Sequence, residues 1–129
     1  MTGQVRLAAV VVEVNDIERS AKLYRDGFGV DLLAAYTPGD DRWLSGPHAE
    51  ASWREGAYLH LALFQAKGGG PTRGAQLAFT VDDLEAANER ALKAGAVLIH
   101  PPRDEPWGST ARYSDLDGNC ISLTQGPRP

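Results

Sequence analysis

The chain has 129 residues, of which 43% are hydrophobic and 23% are charged, a composition typical of one soluble globular domain with a hydrophobic core. No apolar run approaches the roughly 20 residues that span a bilayer, and the N-terminal residues lack the apolar segment of a secretion signal. The formal net charge is −4 without any cluster of lysine or arginine, so we expect no nucleic-acid partner. The single cysteine, Cys120, excludes an internal disulfide and favours a cytoplasmic location.

A repeat organises the chain. The stretch from Val10 to Ala21 returns 67 residues later as the stretch from Leu77 to Asn88. In each copy an alternating apolar run, typical of a strand, is followed by an aspartate and then by apolar residues at helical spacing. Asp16 and Asp83 are therefore predicted to cap the N-termini of two amphipathic helices. A catalytic role is the alternative for these two carboxylates, but their position in the pattern already explains them.

The predicted elements follow the same order in both halves of the chain. The first half has strands at 5–14, 30–36, 42–54 and 57–65, and a helix from 17 to about 28. The second half has strands at 76–81, 97–100, 109–114 and 119–125, and a helix from 84 to about 94. We expect a first module at 1–66, a flexible glycine-rich linker at 67–74, a second module at 75–126 and a tail at 127–129.

Three local signals refine this picture. Pro101 and Pro102 cannot donate to a strand ladder, so they predict an edge strand or a bend. The Asp117-Gly118 pair between two strand-like runs predicts a hairpin. The glycines of the linker could form a phosphate-binding loop instead, but they lack the spacing of that motif and no helix follows directly.

Two such strand-helix-strand-strand-strand units resemble the vicinal oxygen chelate superfamily, the group of glyoxalase I, extradiol dioxygenases and bleomycin-resistance proteins. The resemblance is carried by residues 14–18, 23–25, 81–85 and 101–108 and by the closing Asp-x-Asp-Gly-Asn at 115–119. It implies an α+β fold in which two tandem βαβββ modules form a curled mixed sheet around a cavity. The likeness is greatest to the bleomycin-resistance and glyoxalase-like branch, and it implies a homodimer in which the partner often completes the cavity.

The resemblance also implies where a divalent metal would be held, on the first and last strands of each module. The four corresponding positions are Ala9, His60, Gln76 and Ser122. Alanine has no donor atom, and an imidazole with an amide and a hydroxyl is a poor ligand set for a divalent metal. We therefore predict no metal and no other cofactor. The alternative is a rearranged metal site that uses His48, Glu50 or Asp104.

Strand alternation and aromatic content predict the residues that line the cavity. The predicted ligand-binding residues are Trp43, Trp53, Tyr58, His60, Phe64, Gln76, Trp107, Arg112, Tyr113 and Ser122. Core or dimer-interface packing is the alternative for Trp43 and Trp53, and a surface ion pair explains Arg112 equally well. Cys120 is interpreted as a small hydrophobe in a strand, with a nucleophile as the alternative.

These residues support two hypotheses about function. The first is a metal-free protein that binds a small aromatic or planar molecule and sequesters an antibiotic or other natural product, as bleomycin-resistance proteins do. The second is an enzyme, either a glyoxalase-like lyase or isomerase or an extradiol dioxygenase with a rearranged metal site, or a metal-free enzyme with His60 as general base. The second rests on fold analogy and one histidine.

Overall fold

The computed structural model describes residues 9–34, 48–53, 59–66 and 69–126. The strands are β1 (Ala9–Val14), β2 (Leu33–Ala34), β3 (His48–Trp53), β4 (Leu59–Gln65), β5 (Gln76–Thr80), β6 (Val97–Glu105), β7 (Gly108–Ser114) and β8 (Cys120–Gln125). The helices are α1 (Ile17–Lys22), which continues as a π-helical segment at Leu23–Gly27, and α2 (Leu84–Lys93). The described strands form two four-stranded sheets in the orders β1-β4-β3-β2 and β5-β8-β7-β6, without a closed barrel. The predicted α+β class is confirmed.

Both sheets are built in the same way. The first strand of each half lies parallel to the last one, β1 beside β4 and β5 beside β8, and the remaining neighbours are antiparallel. Side chains alternate across each sheet, so that Leu63, Ile121 and Leu123 are fully buried beneath the helices. Ser122 and Thr124, between and beyond them on β8, remain partly exposed on the opposite face. Ser122, a predicted ligand-binding residue, therefore lies on the face of the second sheet opposite α2.

Both helices begin at the predicted aspartates. Asp16 and Asp83 have extended backbones, and each carboxylate accepts a hydrogen bond from the backbone amide three residues later. The Oδ1–N distances are 3.1 Å for Asp16 and 3.2 Å for Asp83. These bonds satisfy helix-terminal amides that have no partner within the helix.

A glutamine at the end of each last strand provides a second cap. Gln65 Oε1 accepts a hydrogen bond from the amide of Ile17 at 3.1 Å, and Gln125 Oε1 accepts one from the amide of Leu84 at 2.8 Å. The start of each helix is thus hydrogen-bonded to the last strand of its own half of the chain. This symmetric feature was not predicted from the sequence.

The two halves contact each other through their helices. Gly27 permits the close approach, because a Cβ at this position would lie 3.2 Å from the Cβ of Ala94. The ring of Phe28 lies 5.9 Å from the ring of Tyr113, and both side chains are buried. The first half of the chain is therefore packed against the second over an apolar contact.

A buried polar contact joins the halves as well. The hydroxyl of Tyr24 donates to Asp115 Oδ2 at 2.7 Å, and Asp115 also accepts from the amide of Asp117 and from the amide and side chain of Asn119. Burial and the charge of Asp115 raise the pKa of Tyr24 far above its usual value. The closing Asp-x-Asp-Gly-Asn motif thus forms the predicted hairpin between β7 and β8 and also anchors the first helix.

Two segments differ from the predicted elements. Strand β2 begins at Leu33 rather than at Val30, because the amide of Val30 bonds to the carbonyl of Tyr24 and continues the helix end. Strand β6 runs through both prolines to Glu105, which is possible because it is the outer strand and its pairing with β7 shifts register twice. The predicted strand residues 5–8, 35–36, 42–47, 54 and 57–58 lie outside the described residues.

The segment between the sheets is anchored at Thr72. The amide of Glu13 donates to Thr72 Oγ1 at 2.9 Å, and the amide of Thr72 donates to the carbonyl of Glu13 at 2.8 Å. This part of the predicted flexible linker is therefore held against the outer edge of β1.

Candidate functional site

A cavity of about 1320 Å³ lies between the two halves of the chain. It is larger than the roughly 300–1,000 Å³ of common small-molecule pockets. The first half contributes the residues that follow the π-helical segment, β2, β3 and the start of β4, and the second half contributes β5 and the first turns of α2. A site of this size, formed between two packed units, can hold a large organic molecule.

Aromatic rings form one wall of the cavity. Trp53 of β3 and Phe79 of β5 lie with ring centroids 6.2 Å apart and planes inclined by 34°, so this pair joins the two halves. Trp53 remains 40% exposed and lines the cavity. An indole in this position can stack against a planar group of a ligand with little loss of side-chain entropy. Trp53 is thus a predicted ligand-binding residue that the structure places in the cavity lining.

The described lining of the cavity is acidic. The four carboxylates are Asp31, Glu50, Asp82 and Asp83, and the cation is Arg90. The guanidinium of Arg90 lies against Gly29, whose φ of +73° and lack of a side chain allow that approach. Since a cleft lined by one sign of charge concentrates the opposite sign, this lining favours a ligand that carries positive charge.

Three predicted ligand-binding residues are associated with the open face of the second sheet. Ser122 lies opposite Arg112 on β7 and opposite Ala78 on β5, and Gln76 lies two residues before Ala78. Residues opposite each other in neighbouring strands project from the same face. Ala78 also lines the cavity, but Gln76, Arg112 and Ser122 do not, so this polar face lies beside the cavity and not within it.

Trp107 covers the far end of the same face. Its Nε1 donates to Thr110 Oγ1 at 3.2 Å, and Thr110 Oγ1 lies 3.2 Å from Thr124 Oγ1. Thr110 is buried beneath the indole, whereas Trp107 itself is 57% exposed. An exposed ring held by a hydrogen bond is available for stacking, but Trp107 does not line the cavity.

Tyr113 lies on the other side of the sheet and must be removed from the predicted site. It is fully buried, its ring contacts Phe28, and its hydroxyl donates to Asn88 Oδ1 at 2.6 Å. Burial, with a smaller contribution from the charge of Glu85, raises the pKa of Tyr113 to about 12. Since Arg112 and Tyr113 are consecutive in one strand, only one of them can face the ligand.

Several predicted site residues lie outside the described structure. Trp43 and Tyr58 belong to segments that are not described, and for His60 and His48 the strand backbone is described but the side chain is not. Phe64, in contrast, is described and half-buried on β4.

The positions that hold a metal in the resembling proteins do not form a suitable donor set. Ala9 pairs with His60 across β1 and β4, and Gln76 pairs with Cys120 rather than with Ser122 across β5 and β8. Ala9 supplies no donor atom, and the amide and hydroxyl of the second module are weak ligands. Among the described side chains, no group of three or more His, Cys, Asp or Glu could hold a metal ion. Of the alternative ligands, Glu50 lines the cavity and Asp104 instead accepts from Ser109 at 2.7 Å.

Phe79 and the carboxylates of Asp31 and Asp82 were not predicted as site residues. Phe79 is half-buried on β5, where it packs against the core and its ring contacts Trp53. The repeat contains no information on how one module lies against the other. The one usable signal was the pair of acidic residues directly after β5, at the point where the cavity opens.

The fold and the cavity define a protein of paired βαβββ modules with a cavity between them. The chain belongs to the glyoxalase/bleomycin resistance protein/dioxygenase superfamily, whose sequence profile matches residues 6–123. None of the helices in the described ranges has the length and apolar character needed to cross a membrane.

Three relatives show how far the similarity extends. The chain is similar to TnmS3, an antibiotic binding protein from Streptomyces sp. CB03234, with 29% identity, a TM-score of 0.75 and coverage of 98% of this chain and 100% of that one. A glyoxalase/bleomycin resistance protein from the same organism is 31% identical, with a TM-score of 0.69 and coverage of 93% and 100%. The uncharacterized protein YetH of Bacillus subtilis is 24% identical over 126 residues, which cover 93% of this chain and 98% of YetH.

Proposed function

We propose that the protein binds a planar or aromatic small molecule in the cavity between its two halves, and that it does so without a metal. The observation that carries this proposal is the cavity of about 1320 Å³ with Trp53 and Phe79 on its wall. Flat rings bury much apolar surface against such a wall, while the acidic lining favours ligands that also carry an amine. Ethidium, which is planar and cationic, has the properties that this site selects.

Sequestration of an antibiotic or another natural product is the physiological role that we propose. Its support is the similarity over nearly the full length to TnmS3, an antibiotic binding protein. A sequestering protein needs only affinity and slow release, and these are supplied by a large, partly enclosed site with aromatic contacts. We further propose that the protein acts as a cytoplasmic homodimer. Light scattering after size exclusion tests the dimeric state.

Metal independence follows from the donor chemistry of the four inherited positions. Alanine, serine and glutamine at three of them leave one histidine as the sole strong ligand in that set. Metal analysis of protein purified without a histidine tag is the test. One equivalent of zinc, nickel, manganese or iron per chain would overturn this part of the proposal and favour the enzymatic alternative.

Tryptophan fluorescence tests ligand binding. The protein has three tryptophans, and ethidium bound beside Trp53 should quench part of their emission with saturation. Trp53→Leu should weaken binding of ethidium about 5- to 20-fold, the loss expected for one stacked ring. Leu92→Ala, at an exposed apolar residue of α2 that does not line the cavity, is the control. If ethidium and a panel of aromatic antibiotics all fail to bind saturably, the proposal is wrong.

A further inference from the structure

The cavity meets β5 at its edge and not at its face. Four consecutive residues, Ala78 to Val81, line it. A cavity that lies against the face of a sheet is lined by every second residue of a strand, because side chains alternate. In the described sheet β5 has one neighbour, β8, so its other edge is open.

The backbone groups that point toward this open edge can be identified. The carbonyl of Ala75 accepts from Cys120 and the amide of Val81 donates to Thr124, so the odd-numbered residues of this segment bond to β8. The amide and carbonyl of one strand residue point to the same side, and the direction alternates along the strand. Ala78 and Thr80 therefore direct their amides and carbonyls away from β8 and into the cavity. Among the described residues, no hydrogen bond uses these four groups.

We propose that the ligand of this cavity contains an extended chain of secondary amides, which adds to β5 as a further strand. The inference rests on the proposed function, since it assumes that a small molecule binds in this cavity, and it specifies the chemical class of that molecule. The lining stretch Ala78 to Val81 has four residues, about 13 Å at roughly 3.3 Å per residue, which fits a segment of two to three amino acids. Its four open groups can exchange four hydrogen bonds with such a segment.

The surroundings of this edge specify the side groups of the ligand. Asp82 directly follows the lining stretch of β5, and Asp31 lines the cavity from the other half of the chain, so both favour an amine or guanidine on the ligand. Trp53, in contact with Phe79 of β5 itself, favours an aromatic group beside the strand. The ligand class is therefore a short cationic peptide-like molecule with an aromatic side group.

The probe is Lys-Phe-Lys amide, compared with the same tripeptide methylated on its backbone nitrogens. The two share charge and ring, but the second cannot donate from its backbone. We expect the first to bind with saturation and the methylated form to bind at least tenfold more weakly, since two hydrogen bonds are lost. In nuclear magnetic resonance spectra of the complex, the amides of Ala78 and Thr80 should become protected from exchange with solvent.

Proline substitution on two outer strands provides a variant and its control. Ala78→Pro on β5 removes one donor inside the cavity, and an edge strand tolerates proline where the amide faces away from the ladder. Ile99→Pro is the control, at an exposed residue of the outer strand β6 that falls in an irregularity of the pairing with β7 and does not line the cavity. We expect about a fivefold loss of tripeptide affinity for Ala78→Pro and an unchanged affinity for Ile99→Pro. If either variant does not fold, the comparison of the two tripeptides on the unaltered protein still decides.

The outcomes separate this inference from the function on which it rests. Equal binding of both tripeptides, or saturable ethidium binding without any tripeptide binding, would overturn the peptide-like class and leave small-molecule binding intact. Absence of binding by both ethidium and the tripeptides would overturn the proposed function as well. Protection of Ala78 and Thr80 that appears without ligand and increases with protein concentration would assign this edge to a second copy of the chain and overturn the inference.

Discussion

Tyr24→Phe tests the polar contact that joins the two halves of the chain. The substitution keeps the aromatic ring in the core and removes only the hydroxyl that donates to Asp115 Oδ2 at 2.7 Å. The carboxylate then keeps Asn119 as the donor to that oxygen, in a site where Asp115 is only 5% exposed. A hydrogen bond to a buried charged group contributes about 1.5–3 kcal/mol, and we expect the free energy of unfolding to fall by that amount.

The loss should be measured by urea unfolding followed by circular dichroism, with a thermal scan as a second readout. For a domain of this size it corresponds to a decrease in Tm of roughly 5–15 °C. Tyr113→Phe is the matched control, because it removes a buried hydroxyl whose partner, Asn88, is neutral. That variant should lose about 0.5–1.5 kcal/mol. If Tyr24→Phe costs no more than the control, the charged contact does not hold the two halves together.

Three further measurements test other parts of the structure. Burial raises the pKa of Tyr24 and Tyr113 above the value of about 10 that tyrosine has in an unfolded chain. The contribution of these two groups to stability should therefore be complete below pH 10 and fall as pH rises, for Tyr113 until about pH 12. Absorbance at 295 nm should show at least two of the four tyrosines still protonated at pH 11. Gln125→Ala should destabilise the protein by about 1 kcal/mol in urea unfolding, because it leaves the first amide of α2 without its acceptor. Asp31→Asn should weaken ethidium binding severalfold at low salt and less at high salt. Asp26→Asn, outside the cavity lining, should leave ethidium binding unchanged, and equal effects of the two substitutions would refute a role for the local charge.

The repeat predicted the architecture because the signals for the helices and turns of each module lie within short stretches of its own sequence. Asp16 and Asp83 have the spacing of helix caps, and both caps are present at the expected atoms. Asp117 and Gly118 predicted a hairpin that depends only on neighbouring residues and on a positive φ at the glycine. Features of this kind are determined within a few residues of the chain, so sequence spacing is enough to find them.

The candidate site was predicted less completely, because its walls come from both modules. Trp53 was included for its chemistry, but its partner Phe79 was not, since nothing within either repeat indicates that β3 of one half faces β5 of the other. Tyr113 was placed in the site beside Arg112, although alternation along β7 sends these two side chains to opposite faces. Predicting Phe79 would have required knowledge of the packing between modules, whereas the error at Tyr113 could have been avoided from the strand pattern alone.

A comparison of equivalent residues explains why the proposed site lies on only one half of the duplicated chain. Glu13 and Thr80 occupy the same place in the two copies of the repeat, 67 residues apart, on the outer edges of β1 and β5. The amide and carbonyl of Glu13 are both bonded to Thr72, a residue of the segment that joins the modules. Within the described part of the chain no such segment bonds to Thr80, whose amide and carbonyl point away from β8. Because a single connection can cover only one of two equivalent edges, we expect the proposed peptide-like ligand at β5 and not at β1.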